Sequence, residues 1–121
     1  MKLPLSPAQL TSILLTVMAL AIGQVLFRLA ALRMNPNLPA LQQWGLNPHL
    51  WAALVVYGVA TIAWVAVLRQ VPLHLAYPFV ALAFFLVPLL AFWLLNEPVR
   101  WSTWVGAFLI ASGVWISVAF E

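Results

Sequence analysis

Four long runs of apolar residues, each bounded by a cluster of Pro, Asn, Gln or charged positions, organise this sequence. They cover about residues 9–32, 49–68, 73–95 and 101–120, and each approaches or exceeds the roughly 20 residues with which an α-helix crosses a bilayer. The pattern predicts an all-α membrane protein: one four-helix transmembrane domain over residues 1–121, with short hairpin loops. Ser6-Pro7 reads as a cap followed by a residue with no amide hydrogen to leave unsatisfied, and Asn35, Pro36, Asn37 and Pro39 end the first span. Arg69-Gln70-Val71-Pro72 is too short for anything but a tight hairpin, and Asn96-Glu97-Pro98-Val99-Arg100 plays the same part between the third and fourth spans. The result is an up-down-up-down bundle with both termini on one side. The connection over 34–48 is longer and rich in Pro and Asn. It reads as an interfacial loop containing one helical turn, with Trp44 and Trp51 at the headgroup level.

Composition narrows the class. Hydrophobic residues make up 66% of the 121 and charged ones 6%, against roughly 25% charge in an average soluble domain, so the chain cannot cover its own surface for water. A cytosolic enzyme or nucleic-acid binder is excluded, and the net charge of +3 reflects anchors flanking the spans. There is no cysteine, hence no disulfide, thiolate metal site or redox motif, and two separated histidines do not make a metal centre. No cofactor is expected. Lys2, an apolar stretch and Ala19-Leu20-Ala21 imitate a cleavable signal peptide, but the apolar run continues through Phe27, which predicts a retained first span. Lys2 and Arg69 fall on the terminal face, and Arg33 and Arg100 on the opposite one with Arg28 nearby. Because positive charge sets topology through such a bias, this tie allows insertion either way or orientation by a partner, and an antiparallel dimer fits it.

Few side chains can carry chemistry. Arg28 lies inside the first span near its end, where one reading is a side chain snorkelling to the headgroups. Gln24, one turn earlier on the same face, favours the other reading, a polar cleft that holds a phosphate or sugar. An Arg fork suits phosphate oxygens and does not give up its proton, so it serves an anion and not a proton relay. Glu97 and Glu121 are the only acidic residues, and no carboxylate falls within a span. Glu97 is read as favouring the start of the fourth helix, with a pairing to Arg100 or a gating role as the alternative. His74, at the start of the third span, is either interfacial or a titrating group. Pro78 and Pro88 cannot donate to the carbonyls of His74 and Phe84, which kinks the third helix or exposes carbonyls to a cavity that Tyr77 would face. Tyr77 reads equally as an interfacial anchor. Gly106 and Gly113, seven apart near Ala107 and Ala111, suggest a seam for close helix packing within or between subunits. No Ser/His/Asp set, carboxylate pair or phosphate loop can be assembled, so transport or assembly is the surviving class, and an enzyme is not expected.

Val71-Pro72-Leu73-His74-Leu75-Ala76-Tyr77-Pro78, then Asn96-Glu97-Pro98-Val99, then Gly106 and Gly113, with Gly23-Gln24 and Arg28 upstream, resembles the small four-helix branch of the drug/metabolite transporter superfamily, which is small multidrug resistance-like and EamA-like. Within it, the Ala-Tyr-Pro and Glu-Pro-Val elements are similar to the subunits that flip aminoarabinose-phosphoundecaprenol across the bacterial inner membrane before lipid A modification in lipopolysaccharide biosynthesis. The resemblance covers all four spans, most densely 63–120. It implies antiparallel dimers sealed in part through the fourth span. Small multidrug exporters carry a glutamate three residues before the glycine matching Gly23, where this chain has Leu20. That departure argues against proton-coupled export of cations. Ala83 and Pro88 stand where the aminoarabinose group is more polar, and the first loop lacks that group's basic cluster, so the sugar can differ.

The leading expectation is therefore a flippase for a polyprenyl-phosphate-linked sugar, working as a homodimer or with a sister subunit in the bacterial inner membrane. Arg28 would hold the phosphate, Gln24 and Tyr77 would offer neutral hydrogen bonds, Trp64 would pack on a sugar face, and Pro78 and Pro88 would shape the cleft. Two alternatives stay open: an exporter of small cations or metabolites, and a non-transporting subunit assembled with a glycosyltransferase.

Overall fold

The computed structural model describes residues 5–120, so Lys2 and Glu121 lie outside the described residues. Six helices succeed one another: α1 (Pro7–Leu32), α2 (Ala40–Gly45), α3 (Pro48–Leu68), α4 (Leu73–Val80), α5 (Ala83–Leu94) and α6 (Trp101–Ala119). With α4 and α5 counted as one span, four helices are long and apolar enough to cross a membrane, and the described residues form no strand. The chain is an all-α membrane protein.

Its helix ends are set by local chemistry. Ser6 caps α1 in a reciprocal box: Gln9 N–H donates to Ser6 Oγ at 3.1 Å, and Ser6 N–H donates to Gln9 Oε1 at 3.0 Å. Pro7 takes the first helical position, two residues before the boundary expected from hydropathy. The expected turn in the long connection is α2, fixed to the next span by Trp51, whose indole N–H donates to the Gly45 carbonyl at 2.7 Å. Asn47 caps α3 by accepting from His49 N–H and Leu50 N–H.

The third span, expected to kink at its prolines, is interrupted at Ala81 and Leu82, between the two. Around the break the amides reach back three residues instead of four: Ala81 to Pro78, Leu82 to Phe79, Phe84 to Ala81 and Phe85 to Leu82, all at 2.9–3.1 Å. This tightened geometry keeps the backbone bonded between the two prolines, whose rings crowd the turns that precede them.

Packing is uneven. The most extensive helix pairing is α1 with α3, which run antiparallel. Thr16, Gly23 and Ala30 on α1 and Ala53, Ala60 and Val67 on α3 are all buried, each set with a seven-residue repeat, and their small side chains let the backbones approach. Gly23 is packed against the Tyr57 ring. A cluster of buried side chains joins Ile13, Val17, Val67, Leu75, Phe79, Val114 and Val118, and so sits where the start of α1, the α3–α4 hairpin and the end of α6 meet. Toward the opposite end, α5 buries none of its side chains and α6 buries only Ala107 before Val114. The bundle is tightly packed at its terminal end and thinly packed at its loop end.

Candidate functional site

The loop end brings two opposite charges together. Arg28 stands four residues before the end of α1, and its Nε donates to Glu97 Oε1 at 2.8 Å across 69 residues of sequence. The turn after α5 sets the carboxylate there. Asn96 adopts a left-handed φ of 53°, which Asn tolerates at a helix end, and Glu97 N–H turns back to the Ala91 carbonyl at 3.2 Å. The pair therefore links the first span to the hairpin that joins the third and fourth. Both partners remain accessible, their side chains being 52% and 36% exposed.

Glu97 thus commits its carboxylate to Arg28, and the first turn of α6 holds no acidic residue. Of the sequence readings for Glu97, the partner found is Arg28 rather than Arg100, which is exposed and caps α6 through its backbone. The reason is geometric: the left-handed turn at Asn96 points the chain back toward α5 and α1. Gln24 is exposed on the face of α1 that carries Arg28, one turn deeper.

The other expected site residues are elsewhere. Tyr77 lies in α4, which starts at the terminal end of the bundle, and is 62% exposed. Trp64 is in the last two turns of α3, half-buried against the terminal-end cluster. A 22-residue span is about 33 Å long at 1.5 Å per residue, so these two and Arg28 belong to different ends of the span and not to one pocket. Pro78 and Pro88 are half-buried on either side of the break. Gly106 and Gly113 do not form a seam within this chain, because a methyl group added at either would meet open space. The close-packed glycine is Gly23.

Two features escape the sequence reading. Asn47 is buried, and its Nδ2 donates to the Ala30 carbonyl at 2.8 Å, tying the start of α3 to the end of α1. Its position after Gly45-Leu46 and before Pro48 signals a cap but not this cross-helix bond. The second feature is a groove of about 590 Å³ between α1 and α3 toward the terminal end, lined by Ser6, Gln9, Ser12, Thr16 and Gln70 together with small residues such as Ala63. Those polar groups carry no charge, and the Thr16 hydroxyl is already bonded to the Ser12 carbonyl at 2.8 Å. The spacing of Ser6, Gln9, Ser12 and Thr16 along one helical face is visible in the sequence. Among the described residues no group of three or more His, Cys, Asp or Glu could hold a metal ion.

The probable 4-amino-4-deoxy-L-arabinose-phosphoundecaprenol flippase subunit ArnE of Pseudomonas fluorescens (strain Pf0-1) is 37% identical over 68 residues, 56% of this chain and 60% of its own length. The corresponding probable subunit ArnF of Erwinia tasmaniensis is 40% identical over 80 residues, 64% of this chain and 63% of its own. The chain thus spans less than two thirds of the length of both. The probable subunit ArnE of Pseudomonas paraeruginosa (strain DSM 24068 / PA7) is 33% identical over 105 residues, 84% of this chain and 90% of its own. No solved structure matches. The model of the EamA-like transporter family matches residues 3–119, nearly the whole sequence, and the chain belongs to that family.

Proposed function

We propose that this chain is a subunit of a bacterial inner-membrane flippase that moves a polyprenyl-phosphate-linked sugar, of the aminoarabinose-phosphoundecaprenol kind, from one leaflet to the other. The observation that carries the reading is Arg28: a permanent cation near the end of a membrane helix, half-exposed and held by Glu97 through one Nε–H bond. The remaining N–H donors of a guanidinium suit phosphate oxygens. Relatives named as aminoarabinose-phosphoundecaprenol flippase subunits match over as much as 84% of the chain, which favours a lipid-linked substrate over a soluble one.

In this mechanism the polyprenyl tail stays in lipid while the headgroup passes along the bundle. Arg28 and Gln24 receive the phosphate at the loop end, where packing is thin and helices can part at low cost. Neutral polar groups serve the sugar farther along: Tyr77, and the hydroxyl- and amide-lined groove between α1 and α3. Trp64 backs that end of the path from within the packing. The break between Pro78 and Pro88 is the natural hinge, since its backbone already departs from regular helix. A second subunit completes the cleft, either another copy or a sister chain. The outward Gly106/Gly113 face of α6 is the surface on which it would seat.

Leu20 occupies the position where small multidrug exporters resemble one another in carrying a glutamate, and the only described carboxylate lies in a hairpin. Coupling by an intramembrane proton carrier on this chain is therefore disfavoured. The test is the thermal shift of the purified full chain with undecaprenyl phosphate. Stabilisation by the lipid that disappears in Arg28→Ala supports the reading. A shift of equal size in both proteins would remove Arg28 from the site.

A further inference from the structure

We infer that Arg28 and Glu97 form an exchangeable pair that accepts a zwitterionic headgroup, Arg28 taking its phosphodiester and Glu97, once released, taking an ammonium group on the same ligand. This rests on the phosphate reading of Arg28 and adds a second residue and a rule of selection.

Exchange is cheap at this position. The two side chains are 52% and 36% exposed, and ion pairs that open contribute little to stability. A phosphodiester oxygen is an acceptor of the same kind as Glu97 Oε1, so a phosphate that enters on the other guanidinium N–H donors goes on to compete for the one Nε–H bond that holds Glu97. The fate of the released carboxylate depends on the rest of the ligand. With a neutral sugar, displacement leaves the Glu97 carboxylate unpaired beside a second negative charge. With an amino sugar, the carboxylate regains a cation, and one ion pair is replaced by two. The penalty on the neutral ligand and the gain on the amino ligand act in the same direction, which is how a site separates similar molecules.

Glu97 is placed for this by its backbone. The left-handed Asn96 and the Glu97 N–H bond to Ala91 hold the Glu97 backbone at the end of α5 independently of Arg28. Among the described residues Glu97 is the only acidic one. Ligand entry would also untie α1 from the α5–α6 hairpin, at the end of the bundle where α5 buries nothing. Recognition and opening are then the same event.

Two lipids share the required chemistry, a polyprenyl phosphate bearing an amino sugar and phosphatidylethanolamine. The full chain would be placed in nanodiscs of phosphatidylglycerol and titrated with the amino-sugar phosphoundecaprenol and with its N-acetyl derivative, which loses only the positive charge. Wild type is expected to prefer the amine by about tenfold or more. Glu97→Gln should bring the two within about twofold, Glu97→Asp should restore part of the preference, and Arg28→Ala should lose both ligands. A wild type that does not distinguish the two lipids, or a Glu97→Gln protein that still does, overturns the exchange and leaves the phosphate reading standing if Arg28→Ala still fails to bind. Unchanged binding by Arg28→Ala, or no binding of either lipid by wild type, overturns both. Addition of phosphatidylethanolamine distinguishes the sources: competition that depends on Glu97 assigns the site to the bulk lipid, and its absence assigns it to the amino-sugar lipid.

Discussion

Gly23 of α1 lies so near Tyr57 of α3 that a Cβ on the glycine would stand 3.0 Å from the Tyr57 Cδ2 atom. The same ring meets Phe27, one turn along α1, edge-on at a centroid distance of 5.7 Å. The Tyr57 ring is thus wedged against two successive turns of the first span.

Gly23→Ala should therefore destabilise the protein although alanine is the better helix former. Overpacking of about 1–3 kcal/mol opposes a propensity gain of about 1 kcal/mol. Tyr57→Ala combined with Gly23→Ala should be less damaging than the sum of the two, as thermal unfolding of the four proteins in one detergent would measure.

Gly113→Ala and Gly106→Ala make the opposite case. Open space surrounds both positions within the chain, so the monomer in detergent should be unaffected or stabilised by up to about 1 kcal/mol. Gly113→Leu should in contrast lower the dimer fraction seen by cross-linking in membranes, if α6 seats the second subunit.

Asn47→Ala removes a buried donor to Ala30 and the cap of α3 together. A loss of about 1–3 kcal/mol is expected. Asn47→Asp keeps the cap acceptor but not the donor to Ala30, so a smaller loss in that protein would divide the two contributions.

Arg28→Ala and Glu97→Gln should each change stability by no more than about 1 kcal/mol, since the pair is accessible. Their large effects are expected in lipid binding and transport. A coupling well above that range in a double-mutant cycle on thermal unfolding would mark the pair as a structural tie instead.

Hydropathy and the Pro/Asn punctuation make the four spans, both short hairpins and the Ser6 cap legible from the residues alone, because span length and capping are local. The break at Ala81 and Leu82 is legible only as a kink, since its place depends on how two prolines share one distortion. Arg28 stands out alone because a cation within an apolar run is anomalous wherever the helix packs. Its partner does not, because the Arg28–Glu97 contact joins residues 69 apart and depends on the left-handed turn at Asn96. Chemical type groups Tyr77 and Trp64 with Arg28, and only the helix directions assign them to the other end of the bundle. The glycines divide for a related reason: within the chain Gly23 has the close neighbour, while the seam spacing of Gly106 and Gly113 meets none of this chain's atoms.

The absence of any buried side chain in α5 bears on how this chain can vary. Residues such as Ile13 and Ala60 are constrained by the atoms they touch within the chain, and most changes there weaken folding. Exposed positions of α5 such as Phe84, Phe92, Trp93 and Leu94 answer mainly to whatever lies outside the chain, whether lipid, a second subunit or the passing headgroup. That face of α5 is free to diverge in step with a substrate or partner while the α1/α3 pair stays fixed. Exchanging α5 between relatives is accordingly the transplant with the best prospect of moving specificity without losing the fold.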